Sequence, residues 1–284
     1  MNDNELNINW YPGHMEKSRR LMEERLKNID LVLEVADARL PKCTRNPMLL
    51  EMLNNKKLLL LLNKSDRADE EVTKRWLKYY QDNDIEALAI SLNDNNPRKL
   101  ILNKVEEMLK EKREKALKRG IRNKVMRLMV IGIPNVGKST LINRLSGKNK
   151  LKAENRPGVT RSLDKIFLDN NLELVDTPGI LWPKFEDQDD AKKLALIGSI
   201  NDNILDIEAL ALYGIEYLNN TYTKLFSSLY NIESNNSLEI LNKIGEARSC
   251  CKDGGEIDLE MSAKTFLWEL RNKAEFKVSL EDVE

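Results

Sequence analysis

The chain has 284 residues, 41% hydrophobic and 32% charged, which reads as one large or two ordinary soluble globular domains. Its 46 basic and 46 acidic side chains cancel, but unevenly: residues 1–184 carry 36 basic and 26 acidic groups, residues 185–284 carry 10 and 20. Halves of opposite charge suggest two units, the first more strongly attracted to polyanions. Three cysteines (Cys43, Cys250 and Cys251) form no metal-ligand spacing and fit a reducing compartment. The first residues lack the apolar core of a signal peptide, and the longest aliphatic run, Leu58–Leu62, is far short of a membrane span. A cytoplasmic protein with no membrane contact is expected.

In chain order, residues 16–28 read as a charged helix, and Leu31–Ala36 as a buried strand ending at Asp37-Ala38-Arg39. A loop bracketed by Pro41 and Pro47 leads into helical spacing over Met48–Leu53. The five leucines 58–62 predict a strand covered on both faces, ending in Asn63-Lys64-Ser65-Asp66. A helix over 69–82, a strand over 85–90, then Ser91-Leu92 and a long helix over 98–117 follow. Strands alternating with helices of this length predict a parallel sheet with helices on both faces. Residues 104–127 hold ten basic and four acidic side chains. Such a strip is either a solvated helix end with its linker or a nucleic-acid contact.

The apolar run Leu128–Ile131 enters Gly132-Ile133-Pro134-Asn135-Val136-Gly137-Lys138-Ser139, which fits GxxxxGK[ST], and helical spacing leaves it. Strands at 165–168 and 172–175 form a hairpin about residues 169–171 and run into Asp176-Thr177-Pro178-Gly179. Helical spacing then covers 190–200, 204–218, 237–247 and 258–271, with Asp202, Ser237 and Asp258 as candidate caps. The expected architecture is an α/β doubly wound sheet over 1–184 and an α-helical domain over 185–284.

The motifs have a shared chemistry. Backbone N–H groups of a glycine-bearing loop, through Asn135, Val136, Gly137, Lys138, Ser139 and Thr140, cradle phosphates. Lys138 reaches the β/γ-phosphates, and the Ser139 hydroxyl suits Mg²⁺. Asn63-Lys64-Ser65-Asp66 selects the base. The Asp66 carboxylate accepts from guanine N1–H and the exocyclic amine, the Lys64 stem covers the purine, and Asn63 braces the loop. Ser91 and Leu92 stand where a second base loop, contributing backbone N–H, belongs. Asp176 reaches Mg²⁺, the Gly179 N–H meets the γ-phosphate, and Thr160, 22 residues after Lys138, is the candidate switch threonine on Mg²⁺. GTP/GDP and Mg²⁺ are thus the expected ligands.

In a Ras-like protein the phosphate loop precedes NKxD, whereas here NKxD starts at 63 and the loop at 132. This predicts a P-loop GTPase sheet whose chain is circularly permuted, cut just beyond DxxG. The second switch then leads into the helical domain, wiring nucleotide state to domain position.

With that order, and with Trp10-Tyr11-Pro12-Gly13-His14-Met15, Asp37-Ala38-Arg39, Pro157-Gly158-Val159-Thr160-Arg161 and Asp176-Thr177-Pro178-Gly179, the chain closely resembles the circularly permuted YlqF/RbgA family of ribosome-assembly GTPases over essentially its full length. The resemblance implies GTP hydrolysis coupled to late maturation of the large ribosomal subunit, stimulated by that subunit, and ribosomal RNA binding by the C-terminal domain. It implies a water-positioning role for His14, because Ile180 stands where Ras has its glutamine. It also implies a K⁺ ion held by Asn135. A monomer is expected away from the ribosome. Two features depart from the family: Leu92 stands where alanine is usual, and the C-terminal half is acidic. RNA contact there would need a local basic face drawn from Lys243, Arg248, Lys252, Lys264, Arg271 and Lys273, and the strip at 104–127 is the better electrostatic candidate. Two other readings stay open: a GTP-gated RNA-binding placeholder whose hydrolysis is incidental, and a GTPase signalling to proteins.

Overall fold

The run Leu58–Leu62 shows how the sheet is built. The computed structural model describes residues 22–53, 56–147, 165–168, 170–175 and 187–283. In it this run forms β2 (Leu58–Asn63), flanked by β1 (Leu31–Asp37) and β3 (Glu86–Ala89), both parallel to it. Alternate strand side chains face opposite sides. Leu60 and Leu62 therefore pack with Ala36 against Val72, Trp76 and Tyr80 of α2 (Glu70–Asp82). Leu59 and Leu61 share the other face with Leu33, Val35 and the stripe Ile101, Val105 and Leu109 of α3 (Pro97–Lys118). Each fully buried leucine contributes about 2 kcal/mol relative to exposure.

The phosphate-loop strand β4 (Met126–Ile131) lies beside β1, and beyond it come β6 (Leu172–Val175) and the antiparallel edge strand β5 (Lys165–Leu168). The order β3-β2-β1-β4-β6-β5 means that the chain winds outward from β1 through β2 to β3 on one side, and on the other passes from β4 to the edge strand β5 and returns as β6 between them. The switch in direction between β1 and β4 opens a crevice at the strand carboxyl ends, where open α/β sheets bind ligands. Asp37, Asn63, Ser91 and the phosphate loop all follow such ends. The sheet is therefore the permuted P-loop GTPase sheet that the motif order predicts.

After α1 (Pro47–Leu53), α2, α3 and α4 (Lys138–Ser146), five helices complete the described chain: α5 (Gln188–Leu196), α6 (Ile207–Thr221), α7 (Leu225–Tyr230), α8 (Ser237–Ala247) and α9 (Leu259–Asn272). Asp258 caps α9 as expected, but two other caps differ. Asn236, not Ser237, accepts the first N–H groups of α8. Asp206 caps α6, while Asp202 sits in a 3₁₀ turn and pairs with Arg271. The short helix α7 and the tail 276–283 lie outside the elements that the sequence predicts. Phe226, Phe266 and Phe276 form the aromatic centre of this bundle, with ring centroids 6.2 Å apart in two of the pairs. Glu269 ties its helices from α9. Burial pushes its carboxyl up, but pairing with Arg248 and Lys273 and the bond from the Tyr230 hydroxyl outweigh that and hold it down to about 2.

The tail clips the two units together. Val278 and Leu280 donate backbone N–H to the carbonyls of Arg67 (3.1 Å) and Arg39 (2.8 Å) in the α/β unit. Tyr217 of α6 donates its hydroxyl to the Leu280 carbonyl at 2.7 Å from the other side. No helix among the described residues is long and apolar enough to cross a membrane.

Candidate functional site

Asn63, at the end of β2, is buried, and both ends of its amide are used. Nδ2 donates to the Val136 carbonyl in the phosphate loop at 2.7 Å, and Oδ1 accepts from the Leu92 N–H at 3.3 Å. One side chain thus spans the phosphate loop, its own loop and the Ser91–Leu92 loop. The Leu92 N–H that the sequence assigns to a base faces Asn63 instead. Ser91 is buried beside it, its hydroxyl accepting from Asn93 N–H at 3.3 Å. The spacing is tight: a Cβ on Gly137 would sit 2.3 Å from Asn63 Nδ2, and one on Gly132 2.4 Å from the Val35 carbonyl. Both glycines also have positive φ, at 109° and 149°, so the loop needs them for space and for backbone shape.

Lys64 adopts the left-handed conformation, φ 61°. Its ammonium donates to the Asn135 carbonyl at 2.9 Å and pairs with Asp37 at 2.9 Å. Asp37 is wholly buried and also takes a two-pronged bond from Arg39, at 2.9 and 2.8 Å. Burial pushes the Asp37 carboxyl up, but the two cations outweigh it and hold the group well below the usual range. Burial lowers the Lys64 ammonium, and Asp37 opposes that. Asp37 and Arg39 are site-organising residues that sequence reasoning quoted only as a family motif. The available signal was an aspartate closing an otherwise aliphatic buried strand.

Ser65 anchors this loop to the next strand end, its N–H donating to the Ile90 carbonyl at 3.1 Å. Asp66 follows in a 3₁₀ turn. Its Oδ1 is buried and accepts no hydrogen bond among the described residues, while Oδ2 lies 3.6 Å from Arg67 Nε. A buried acceptor without a donor costs about 1–3 kcal/mol, a deficit that a ligand offering N–H groups removes.

Across the crevice, Lys138 begins α4 and is buried, its ammonium donating to the Ile133 carbonyl at 2.6 Å. Ser139 and Thr140 are half-buried in the first helical turn. There the free N–H groups and helix dipole favour an anion. Val136 is buried beneath the loop. Asn135, with φ 61°, donates Nδ2 to the Gly198 carbonyl at 2.7 Å. The structure thus gathers Asn63–Asp66, Ser91, Leu92 and Asn135–Thr140 around one crevice. His14, Thr160, Asp176 and Gly179 lie outside the described residues, as does the 184/185 domain boundary.

The basic candidates of the helical unit are mostly committed. Lys243 pairs with Glu239, Arg248 and Lys273 with Glu269, Lys264 with Glu260 and Arg271 with Asp202. Of the strip 104–127, Lys104, Lys112, Arg113, Lys115 and Arg127 are paired too. Lys118, Arg119, Arg122 and Lys124, at the turn that leaves α3, have no ion-pair partner among the described residues. Leu117, Ile121 and Val125 lie exposed between them.

Comparison with known proteins places this geometry. Residues 127–243 match the 50S ribosome-binding GTPase family, MMR_HSR1. A ribosome biogenesis GTPase A from Priestia megaterium is 44% identical over 94% of this chain and 93% of its own. The chain belongs to the ribosome biogenesis GTPase A family. Its fold is that of solved family members. A GDP-bound YlqF structure superposes with TM-score 0.67 at 28% identity, covering 93% of this chain and 99% of that one. A GNP-bound YlqF from T. maritima gives 0.66 at 26%, covering 94% and 100%.

Asn63→Ala leaves the Val136 carbonyl and the Leu92 N–H without their partner. It is expected to lower the unfolding free energy by roughly 2–4 kcal/mol. Denaturant unfolding monitored by tryptophan fluorescence checks this, and a loss below about 0.5 kcal/mol would contradict the bracing role.

Proposed function

We propose that the chain binds GTP in the crevice between the Asn63–Asp66 loop and the phosphate loop and hydrolyses it during late maturation of the large ribosomal subunit. The reaction is slow in the free protein and accelerated by the subunit. One observation carries the base assignment: a buried, unpartnered Asp66 oxygen, on a loop that Asn63 and Lys64 tie to the phosphate cradle. Guanine offers two adjacent N–H donors there, and adenine leaves the carboxylate unpaired.

The donor set fits Mg²⁺. A half-buried Ser139 hydroxyl stands one residue after the buried Lys138, and Thr160 and Asp176 would complete the protein's ligands. When bound, the ion neutralises charge building between the β- and γ-phosphates. Lys138 adds a fixed positive charge to the same oxygens, and the Gly179 N–H holds the γ-phosphate. A neutral His14 imidazole orients the attacking water once the subunit places it, suited to a largely dissociative transition state in which no strong base is required. Asn135 spends its Nδ2 on Gly198 and uses its Oδ1 in no hydrogen bond among the described residues, the carbonyl oxygen a K⁺ ion would take. The partner is the subunit precursor and its ribosomal RNA, met in the cytoplasm by a monomer. The unpaired cations Lys118, Arg119, Arg122 and Lys124 are the RNA-facing charges, with phosphates as their counterions.

Asp66→Asn presents a donor beside an acceptor, matching xanthine rather than guanine. It is expected to weaken GDP at least 100-fold and to admit XDP, read by competition against a fluorescent nucleotide; unchanged GDP preference would contradict the assignment. His14→Ala is expected to keep nucleotide affinity while losing most of the subunit-stimulated turnover. Stimulation of ordinary size in that variant would remove histidine from the mechanism. Replacing Lys118, Arg119, Arg122 and Lys124 by Gln should flatten the salt dependence of subunit binding by about three to four in log–log slope. An unchanged slope would place the RNA contact elsewhere.

A further inference from the structure

Both walls of the crevice are tied to one residue of the helical unit. Arg271, near the end of α9, donates Nε to the Leu196 carbonyl (2.9 Å) and Nη2 to the Ala195 carbonyl (2.7 Å), closing the C-terminal end of α5. The same guanidinium pairs with Asp202 through bonds of 2.7 and 2.9 Å. Between those anchors lies Gly198, so close to the guanidinium that a Cβ would sit 3.2 Å from Nε. Gly198 presents the carbonyl that receives Asn135 Nδ2 of the phosphate loop at 2.7 Å. On the base side, the Arg271 backbone carbonyl accepts from Nη1 of Arg67, the residue after Asp66.

We propose that Arg271 is a positioning residue for nucleotide binding, holding the phosphate loop through Gly198 and Asn135 and the guanine loop through Arg67. The proposal rests on the guanine-nucleotide reading of the crevice. An amide is planar, so donating one N–H to a fixed carbonyl also fixes where its oxygen lies. The planar fork of arginine can hold two carbonyls and a carboxylate at once, which the single ammonium of lysine cannot reproduce. Arg248 and Lys273 offer a contrast within the same bundle. Both pair with Glu269, and none of the bonds they make touches the crevice. By linkage, a partner that shifts the helical unit changes the hold on nucleotide, and nucleotide changes the hold on that partner by the same factor.

The test compares Arg271→Ala, Arg271→Lys and Glu269→Gln in the full chain, titrated with fluorescent GDP and melted thermally. Arg271→Ala is expected to weaken GDP and speed its release about tenfold, with Arg271→Lys restoring only part of the loss. Glu269→Gln is expected to lower the melting midpoint and leave GDP affinity unchanged, because it loosens the bundle without touching either loop. In an Asn135→Ala background the effect of Arg271→Ala should shrink, since the phosphate-loop donor to Gly198 is gone. Unchanged GDP affinity in Arg271→Ala overturns the proposal, as do equal affinity losses in Arg271→Ala and Glu269→Gln at equal loss of melting midpoint. Should Arg271→Ala fail to fold, Arg271→Lys carries the test, and GDP binding like that of the unmodified chain overturns it. Failure of the unmodified chain to bind GDP would refute the guanine reading. The link is then read from amide exchange at residues 64–67 and at Ile133, Asn135 and Val136, expected to quicken in Arg271→Lys, and unchanged exchange overturns it.

Discussion

The side-chain amide of Asn63 is the tie on which the rest of the crevice depends. Its two hydrogen bonds bring the phosphate loop, the Asn63–Asp66 loop and the Ser91–Leu92 loop to one depth. Both bonds are buried, so neither end can fall back on water, and the geometry is strongly enforced. Lys64 adds a second strap between the same two loops, and its charge is balanced by Asp37 rather than by solvent. The sheet supplies the platform. Parallel pairing of β1 with both β2 and β4, and of β2 with β3, sets the three loop origins along one end of the sheet, at the strand carboxyl ends.

Permutation leaves that arrangement intact because the contacts that define it run between strands, not along the chain. What permutation changes is which segment follows the DxxG sequence. The helical unit follows the DxxG segment, and the tail 276–283 then returns to pair with Arg39 and Arg67 in the α/β unit. Arg39 joins the ion pair of Asp37 and Lys64 to a C-terminal carbonyl, that of Leu270, at 3.1 Å. The crevice and the helical unit therefore share buried polar contacts, and displacing one without the other leaves charged groups unpaired.

Much of this was legible in the chain itself. The leucine run specified a two-faced buried strand, GxxxxGK[ST] marked the turn from β4 into α4, and the NKSD loop follows β2 as its spacing implies; each signal is local, a fixed set of residues at fixed spacing. What escaped was long-range or aperiodic. Nothing near residue 198 announces that its carbonyl meets Asn135, and Arg271 reads as a surface cation until Asp202 and α5 are seen around it. The tail 276–283 buries only the short alternation Phe276, Val278 and Leu280, too brief to mark an element, and its bonds to Arg39, Arg67, Cys43 and Arg75 are all long-range. The caps Asp206 and Asn236 stand four and one positions from the candidates Asp202 and Ser237, since neighbouring Asp, Asn and Ser compete for the same role. The acidic balance of the second half concealed that most of its cations are internally paired.

The central claim is that loops distant and reversed in sequence form a single guanine-and-phosphate pocket. A crystal structure of the chain grown with GDP tests it most directly. The account predicts guanine N1 and its exocyclic amine within hydrogen-bond reach of the Asp66 carboxylate, with the diphosphate against the phosphate loop at Lys138. A purine bound away from Asp66, or phosphates away from that loop, would contradict it.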